Sequence, residues 1–261
     1  MQAIPWVSRR RVPDTSRPLL MTSLAQPARV LVDPLDGMGA AIEARRWGWP
    51  LVLLCLCVSL SGTAFSLRWD AAAATVQQLQ VSGELSRLSE SEIADKIQMA
   101  SRKGLVGGIA KGVFVMPLMV LVLSAVLWFS AWLFGVRAPF GRLMAVAAIA
   151  MMPVALYHLI FAFCVFAQHT MTEARVPGLI PSSLAVLGSA SPRLKTLLGA
   201  VDFFNLWSVG LLGLGFSSAT GMRRGRALLL MGVLYLMYFG VFSIGLPSMG
   251  GGAGAPMAGG K

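Results

Sequence analysis

The chain has 261 residues, a hydrophobic fraction of 56 %, a charged fraction of 13 % and a formal net charge of +11. A soluble domain carries about 25 % charged residues, so this chain has too little polar surface to coat a water-soluble globule. Its basicity does not read as nucleic-acid binding. There is no zinc knuckle and no basic stripe with interleaved aromatics, and the cations sit mostly in segments that connect apolar runs, where they set topology and meet lipid headgroups. The expected class is an integral membrane protein: an all-α bundle of five transmembrane helices, with a short amphipathic helix between spans one and two.

Residues 1–46 form a basic, proline-containing region, expected to be cytoplasmic and partly disordered, within which Met21 is a second candidate start. Asp36 to Arg46 can form a short amphipathic helix, with Ile42 and Trp47 toward the membrane and Arg45 and Arg46 toward headgroups. A solvated tail with juxtamembrane charge is the other reading. Residues 47–246 hold the membrane domain, and 247–261 are a Gly-rich tail expected to be disordered.

Span one is expected over Trp49 to Leu67, with Pro50 in its first turn, where a missing N–H costs least. Trp47, Trp49 and Trp69 mark its ends as interfacial aromatics. Residues 68–104 are the largest internal connection. There Ser89 and Glu92 have the spacing of a capping box, and Ile93, Ile97 and Ala100 recur at helical spacing, which suggests a surface helix running into span two. Span two is Leu105 to Gly135, with Pro117 expected to kink it by releasing the carbonyl of Val113. Span three is Leu143 to Gln168 with Pro153 inside it, span four is Leu194 to Thr220, and span five is Ala227 to Leu246. No internal repeat is evident, so the inverted-repeat signature of many transporters is missing.

The chemistry-bearing patterns are few. There is no nucleophile elbow, no zinc helix and no Walker lysine, so an enzyme is not expected and no cofactor or metal is implied. Cys55, Cys57 and Cys164 lie in apolar runs and pack as small hydrophobes. Gly108-x-x-x-Gly112 and Ala131-x-x-x-Gly135 permit close helix approach, although such spacings are common by chance in spans this rich in Gly and Ala.

Four polar residues inside spans stand out: Lys111, His158, Asp202 and Asn205. Asp202 and Asn205 share a helix face at i, i+3. A charge at membrane depth costs about 2.5–3.5 kcal/mol on insertion scales, so it usually faces the bundle. A relay for ions or protons is one reading; a polar clamp between helices is the favoured one. Counting from the span ends places Lys111, His158 and Asp202 in the same half of the bilayer. The expectation is that Asp202 pairs with Lys111 or His158, with Asn205 on the same face.

The stretch from Val201 to Gly215 resembles the penultimate span of the prokaryotic Yip domain family, five-span membrane proteins of the Ypt/Rab-interacting type. The matching positions are Asp202, Phe204, Trp207, Ser208 and Gly215. Asp33-Pro34 with Trp49-Pro50, and Ser91 to Met99 with Lys103, resemble the family's entries into its first and second spans. The resemblance implies a non-enzymatic scaffold or interaction protein in the prokaryotic inner membrane, organising membrane shape or membrane-protein partners, or associating with itself. Its eukaryotic members are linked to small GTPases, but the Asp-Leu-Tyr-Gly-Pro motif of those members is missing here, which argues against a GTPase partner. The alternative is a small transporter or channel that uses Asp202, His158 and Lys111.

Both short turns, 136–142 and 221–226, fall on the same side as the N-terminal region. Together these segments hold 12 of the 22 Lys and Arg. The positive-inside rule then puts the N-terminus in the cytoplasm and the C-terminus outside. A reporter fused after Arg226 should read cytoplasmic and one fused after Lys261 external; the reverse pattern would show the protein inserted the other way up.

Overall fold

The computed structural model describes residues 30–31, 37–39, 42, 45–172, 175–184, 198 and 201–240. These residues are helical, with isolated bridges and no sheet among them. The elements are α1 Gly48–Arg68, α2 Ala71–Ser82 and α3 Glu90–Ala110, then a π-helical segment Lys111–Val115 that leads without a break into α4 Met116–Leu133. They are followed by α5 Phe140–Ala150, α6 Met152–Phe166, the single turn α7 Val176–Leu179, α8 Phe203–Thr220 and α9 Arg224–Gly240. Three stretches are long and apolar enough to cross a membrane: Gly48–Arg68, Glu90–Leu133 and Phe140–Phe166.

The prolines divide the spans as their chemistry requires. Pro117 has no N–H to give to a carbonyl one turn back and would crowd it. The chain answers with the π-helical turns immediately before it, where the Met116 N–H reaches back five residues to the Lys111 carbonyl. Pro153 lies in the first turn of α6, and span three breaks at Met151 between α5 and α6.

On the polar side, α2 and the start of α3 form a helical hairpin. Asp70 caps α2 by accepting from the Ala73 N–H at 2.9 Å, and Gly83 ends it in the left-handed conformation, φ 70°. Ser89 and Glu92 form the expected capping box at the start of α3, with the Ser89 N–H donating to Glu92 Oε2 at 2.8 Å. Lys96 closes the hairpin on Glu84 at 2.8 Å. That ammonium holds the Glu84 carboxyl below its ordinary range, and the Ser89 hydrogen bonds do the same for Glu92.

α1 is the hub of the first three spans. It packs on α3, the π segment and α4 on one side, and on α5 and α6 on another. Span three lies between α1 and α8, and α8 carries α9 on its other side. α5 is the innermost element: Leu143 and Ala145 to Ala150 are all buried, as expected of a helix that is apolar all round.

The first residues of the described chain belong to this core as well. Val30, Met38 and Ile42 are buried in it, Ile42 with only 2 % of its surface exposed. The expected membrane-facing role of Ile42 is therefore wrong. Its described apolar residues, Met38 and Ile42, are covered by the bundle, with Met38 reaching Gly215 of α8, and only Trp47 of the two expected anchors is exposed. Large apolar side chains on the outside of α4, such as Leu118, Val122, Phe129 and Trp132, are exposed in the isolated chain and suit a hydrocarbon neighbour.

The tightest approach is between backbones. A Cβ added at Gly62 of α1 would lie 2.6 Å from Gly108 Cα, and one at Gly108 would lie 2.7 Å from the Gly62 carbonyl carbon. One turn on, a Cβ at Gly112 would meet the Cys55 carbonyl oxygen at 2.6 Å and the Ser59 hydroxyl. The Gly108-x-x-x-Gly112 spacing is thus a genuine crossing point. Overpacking of such a site costs about 1–3 kcal/mol. Gly62→Ala and Gly108→Ala should each destabilise the protein by that amount in a detergent unfolding titration. Gly107, whose added Cβ would meet nothing within 4 Å, is the control: Gly107→Ala should stabilise by up to about 1 kcal/mol through helix propensity.

Candidate functional site

Of the polar residues singled out in the sequence, Asp202 stands where the connection after α6 meets the start of α8. Met171 is fully buried and is stitched to the end of α1: its N–H donates to the Arg68 carbonyl at 2.7 Å, and it accepts from the Asp70 N–H at 3.0 Å. Farther along, Ser182 to Leu184 run beside Val201 to Phe203. The Phe203 N–H donates to the Ser182 carbonyl at 2.9 Å, and the Leu184 N–H to the Val201 carbonyl at 3.1 Å. The ends of spans one and three and the start of α8 are thereby tied together.

Asp202 is the N-cap of α8. Its Oδ1 accepts from the Phe204 N–H at 2.9 Å and the Asn205 N–H at 3.2 Å, and its Oδ2 accepts from the Ser182 hydroxyl. It therefore begins the helix and does not lie eight residues inside one, because its carboxylate satisfies N–H groups that the first turn leaves free. His158 of α6 shares a hydrogen bond between its Nδ1 and Ser61 Oγ of α1, at 2.8 Å. Lys111 stands exposed on the π segment, and Asn205 is exposed on α8.

The expected ion pair does not form. Among the described residues Lys96–Glu84 is an ion pair, and none joins Asp202 to Lys111 or His158. Asp202 has found two backbone donors and a hydroxyl, which solvate a carboxylate without a partner cation. Nor does Asn205 point into the bundle with it.

Around Asp202 the motif residues divide into a cap and a face. Phe204 is buried, edge-on to Tyr157 with ring centroids 5.4 Å apart, and Tyr157 stacks on Phe161. Trp207 is half-buried against Phe203 at 5.5 Å. Phe204, Ser208, Leu211 and Gly215 recur at i, i+4, i+7 and i+11 and are all buried, which is one stripe of a helix. At Gly215 an added Cβ would lie 2.7 Å from Val146 of α5 and 2.9 Å from Met38. A larger residue there would force the Val146 and Met38 side chains to shift.

A Yip1 domain profile matches residues 28–244. The chain belongs to the Yip1 domain family. No curated protein and no solved structure matches it. The matched region begins just before Val30, so the buried N-terminal residues fall inside the Yip1 domain, and the family-like motif of α8 is explained by what it packs on. Two residues that the sequence did not single out, Ser61 and Ser182, supply the hydroxyls that hold His158 and Asp202. Among the described residues there is no group of three or more His, Cys, Asp or Glu side chains placed to hold a metal ion.

If Asp202 is a cap, Asp202→Ala should cost about 1–2 kcal/mol and Asp202→Asn clearly less, because asparagine also caps well. Adding Lys111→Gln to Asp202→Ala should give no rescue: the two effects should sum to within about 0.5 kcal/mol. Unfolding midpoints of the two single variants and the double variant would measure it.

Proposed function

We propose that this Yip1-domain chain is a non-enzymatic membrane scaffold that crosses the bilayer five times, with α8 and α9 as the fourth and fifth spans. At about 1.5 Å per residue, the 18 residues of α8 and the 17 described residues of α9 approach a hydrocarbon core of roughly 30 Å, and the apolar sequence continues to Leu246. The N-terminus is cytoplasmic, the C-terminus external, and the membrane the inner membrane of a prokaryote. Its partners are other membrane proteins or further copies of itself, rather than a GTPase.

The observation that carries this reading is how the polar groups in the spans and at their ends are used. Asp202 and His158 each bond to a serine of another segment, so both work as clamps between elements. A polar group devoted to helix contact supports a structural role for the cluster, whereas a transport path needs groups that exchange partners along a wet route.

Crosslinking in native membranes from single cysteines placed on the exposed face of the α2–α3 hairpin, followed by mass spectrometry, tests the proposal. Recovery of the same membrane-protein adduct, or of the chain's own dimer, from several positions is expected. Ion or solute flux in proteoliposomes that vanishes with Asp202→Asn would instead establish transport and defeat the scaffold reading.

A further inference from the structure

Among the described residues, the end of the bundle opposite the hairpin carries an unbalanced charge. The turn before α5 and the turn before α9 bring Arg137, Arg142, Arg223, Arg224 and Arg226 to this end, and Arg45 joins them from the N-terminal side. They share a level because α5 and α8 run antiparallel, with Gly215 against Val146. Every described carboxylate lies elsewhere: on the 68–104 connection, or at Asp202 where α8 begins. Neither α5 nor α9 has an acid in its first turn.

Two of these arginines are held in unusual ways. Arg45 is the only described non-glycine residue with positive φ, 51°, in a region that side chains other than Asn and Asp rarely enter. Its Cδ lies 3.5 Å from where a side chain at Gly141 would begin, the residue next to Arg142. Arg142 is half-buried, and its Nε is shielded from solvent without a hydrogen-bond acceptor. A strained backbone at Arg45 and a shielded Arg142 Nε without an acceptor are each unfavourable, and the arginines at this end repel one another. An anion bound at this end would offset the repulsion and supply the missing acceptor. The planar guanidinium fork matches a phosphate group, and basic pockets between spans at the cytoplasmic side are where anionic headgroups bind.

We propose that Arg45 and Arg142 form a site for the phosphate of an anionic phospholipid headgroup, with the arginines of the 221–226 turn beside it. The lipid joins the N-terminal segment, α5 and the start of α9 at the membrane surface. The strain at Arg45 is then the consequence of placing a cation where a glycine would fit more easily.

Native mass spectrometry of the full chain, purified from nanodiscs containing equal phosphatidylglycerol and phosphatidylcholine, tests this directly. Wild type should retain phosphatidylglycerol at least about fivefold over phosphatidylcholine, a preference of roughly 1 kcal/mol. Arg142→Gln and Arg45→Gly should each bring the ratio close to one. Arg45→Gly carries the test even if Arg142→Gln fails to fold. It should unfold at the same temperature as wild type or higher in pure phosphatidylcholine, because the strain is gone, while losing the anionic lipid. The pair Arg102→Gln with Lys103→Gln, at the other end, should leave the ratio unchanged. Equal retention of the two lipids by wild type would overturn the proposal. So would an equal loss in the Arg102/Lys103 variant, or displacement of the lipid by millimolar inorganic phosphate, which would mark a site for a free anion.

Discussion

The backbone of α1 at Gly62 rests against the backbone of α3 at Gly108, and the arrangement of the first three spans follows from that contact. Between apolar helices in lipid there is no release of water to drive association; packing and hydrogen bonds must hold them. Closeness is therefore the available lever, and it is greatest where neither partner has a side chain. With α3 seated on this side of α1, Gly104 lies beside the Trp69 ring and the Ser59 hydroxyl reaches the Ile109 carbonyl at 3.4 Å. The other side of α1 is left for α6, where Ser61 meets His158. Gly213 repeats the device between α8 and α9, where an added Cβ would lie 3.0 Å from Leu228 Cα.

A second theme is how few polar side chains are left to do anything but hold the bundle. Ser124, Ser130 and Thr220 donate back to carbonyls of their own helices, a bond that hides the hydroxyl from an apolar surrounding. Ser217 crosses the end of α8 to the Met222 carbonyl. Ser208 is the exception: it is buried and its hydroxyl has no partner, on the motif face between Phe204 and Leu211. The α8 residues on which the sequence resemblance rests are one cap, Asp202, two aromatics, Phe204 and Trp207, one small polar residue, Ser208, and one glycine, Gly215.

The parts of this architecture legible in the sequence are those set by local chemistry. The first three apolar runs became helices near their expected limits because hydropathy and length decide that. Ser89 with Glu92 became a capping box because four consecutive residues suffice to define one. α2 was equally local and was missed, although Asp70 before four alanines and Gly83 after Ser82 are start and stop signals of the usual kind. Asp202 before an apolar run was such a signal too, hidden by reading the run as already begun at Leu194. What could not be read were the non-local terms. Gly108-x-x-x-Gly112 has meaning only once Gly62, far back in the chain, is known to lie opposite. Ile42 had a plausible lipid-facing role until Met38, Val146 and Gly215 were seen together. The Asp202 carboxylate was expected to need a cation, and nothing in the spacing revealed that Ser182 and two backbone N–H groups would meet it.

The π-helical segment sets the phase of the longest helix. A π-turn holds one residue more than an α-turn, and one residue of an α-helix is about 100° of rotation. In unbroken α-geometry, Val120 would point roughly 80° away from Gly112, eight residues earlier. With one residue absorbed in Lys111–Val115, the two are in effect two turns apart and share a face, and the buried stripe of Val120, Ser124 and Leu127 continues the line of Gly108 and Gly112. The helix thus behaves as an ordinary α-rod with a residue inserted. Shortening it by one residue within 111–115 preserves the alignment of its two halves, whereas lengthening it there by one turns α4 away from its neighbours and presents Ser124 to the hydrocarbon.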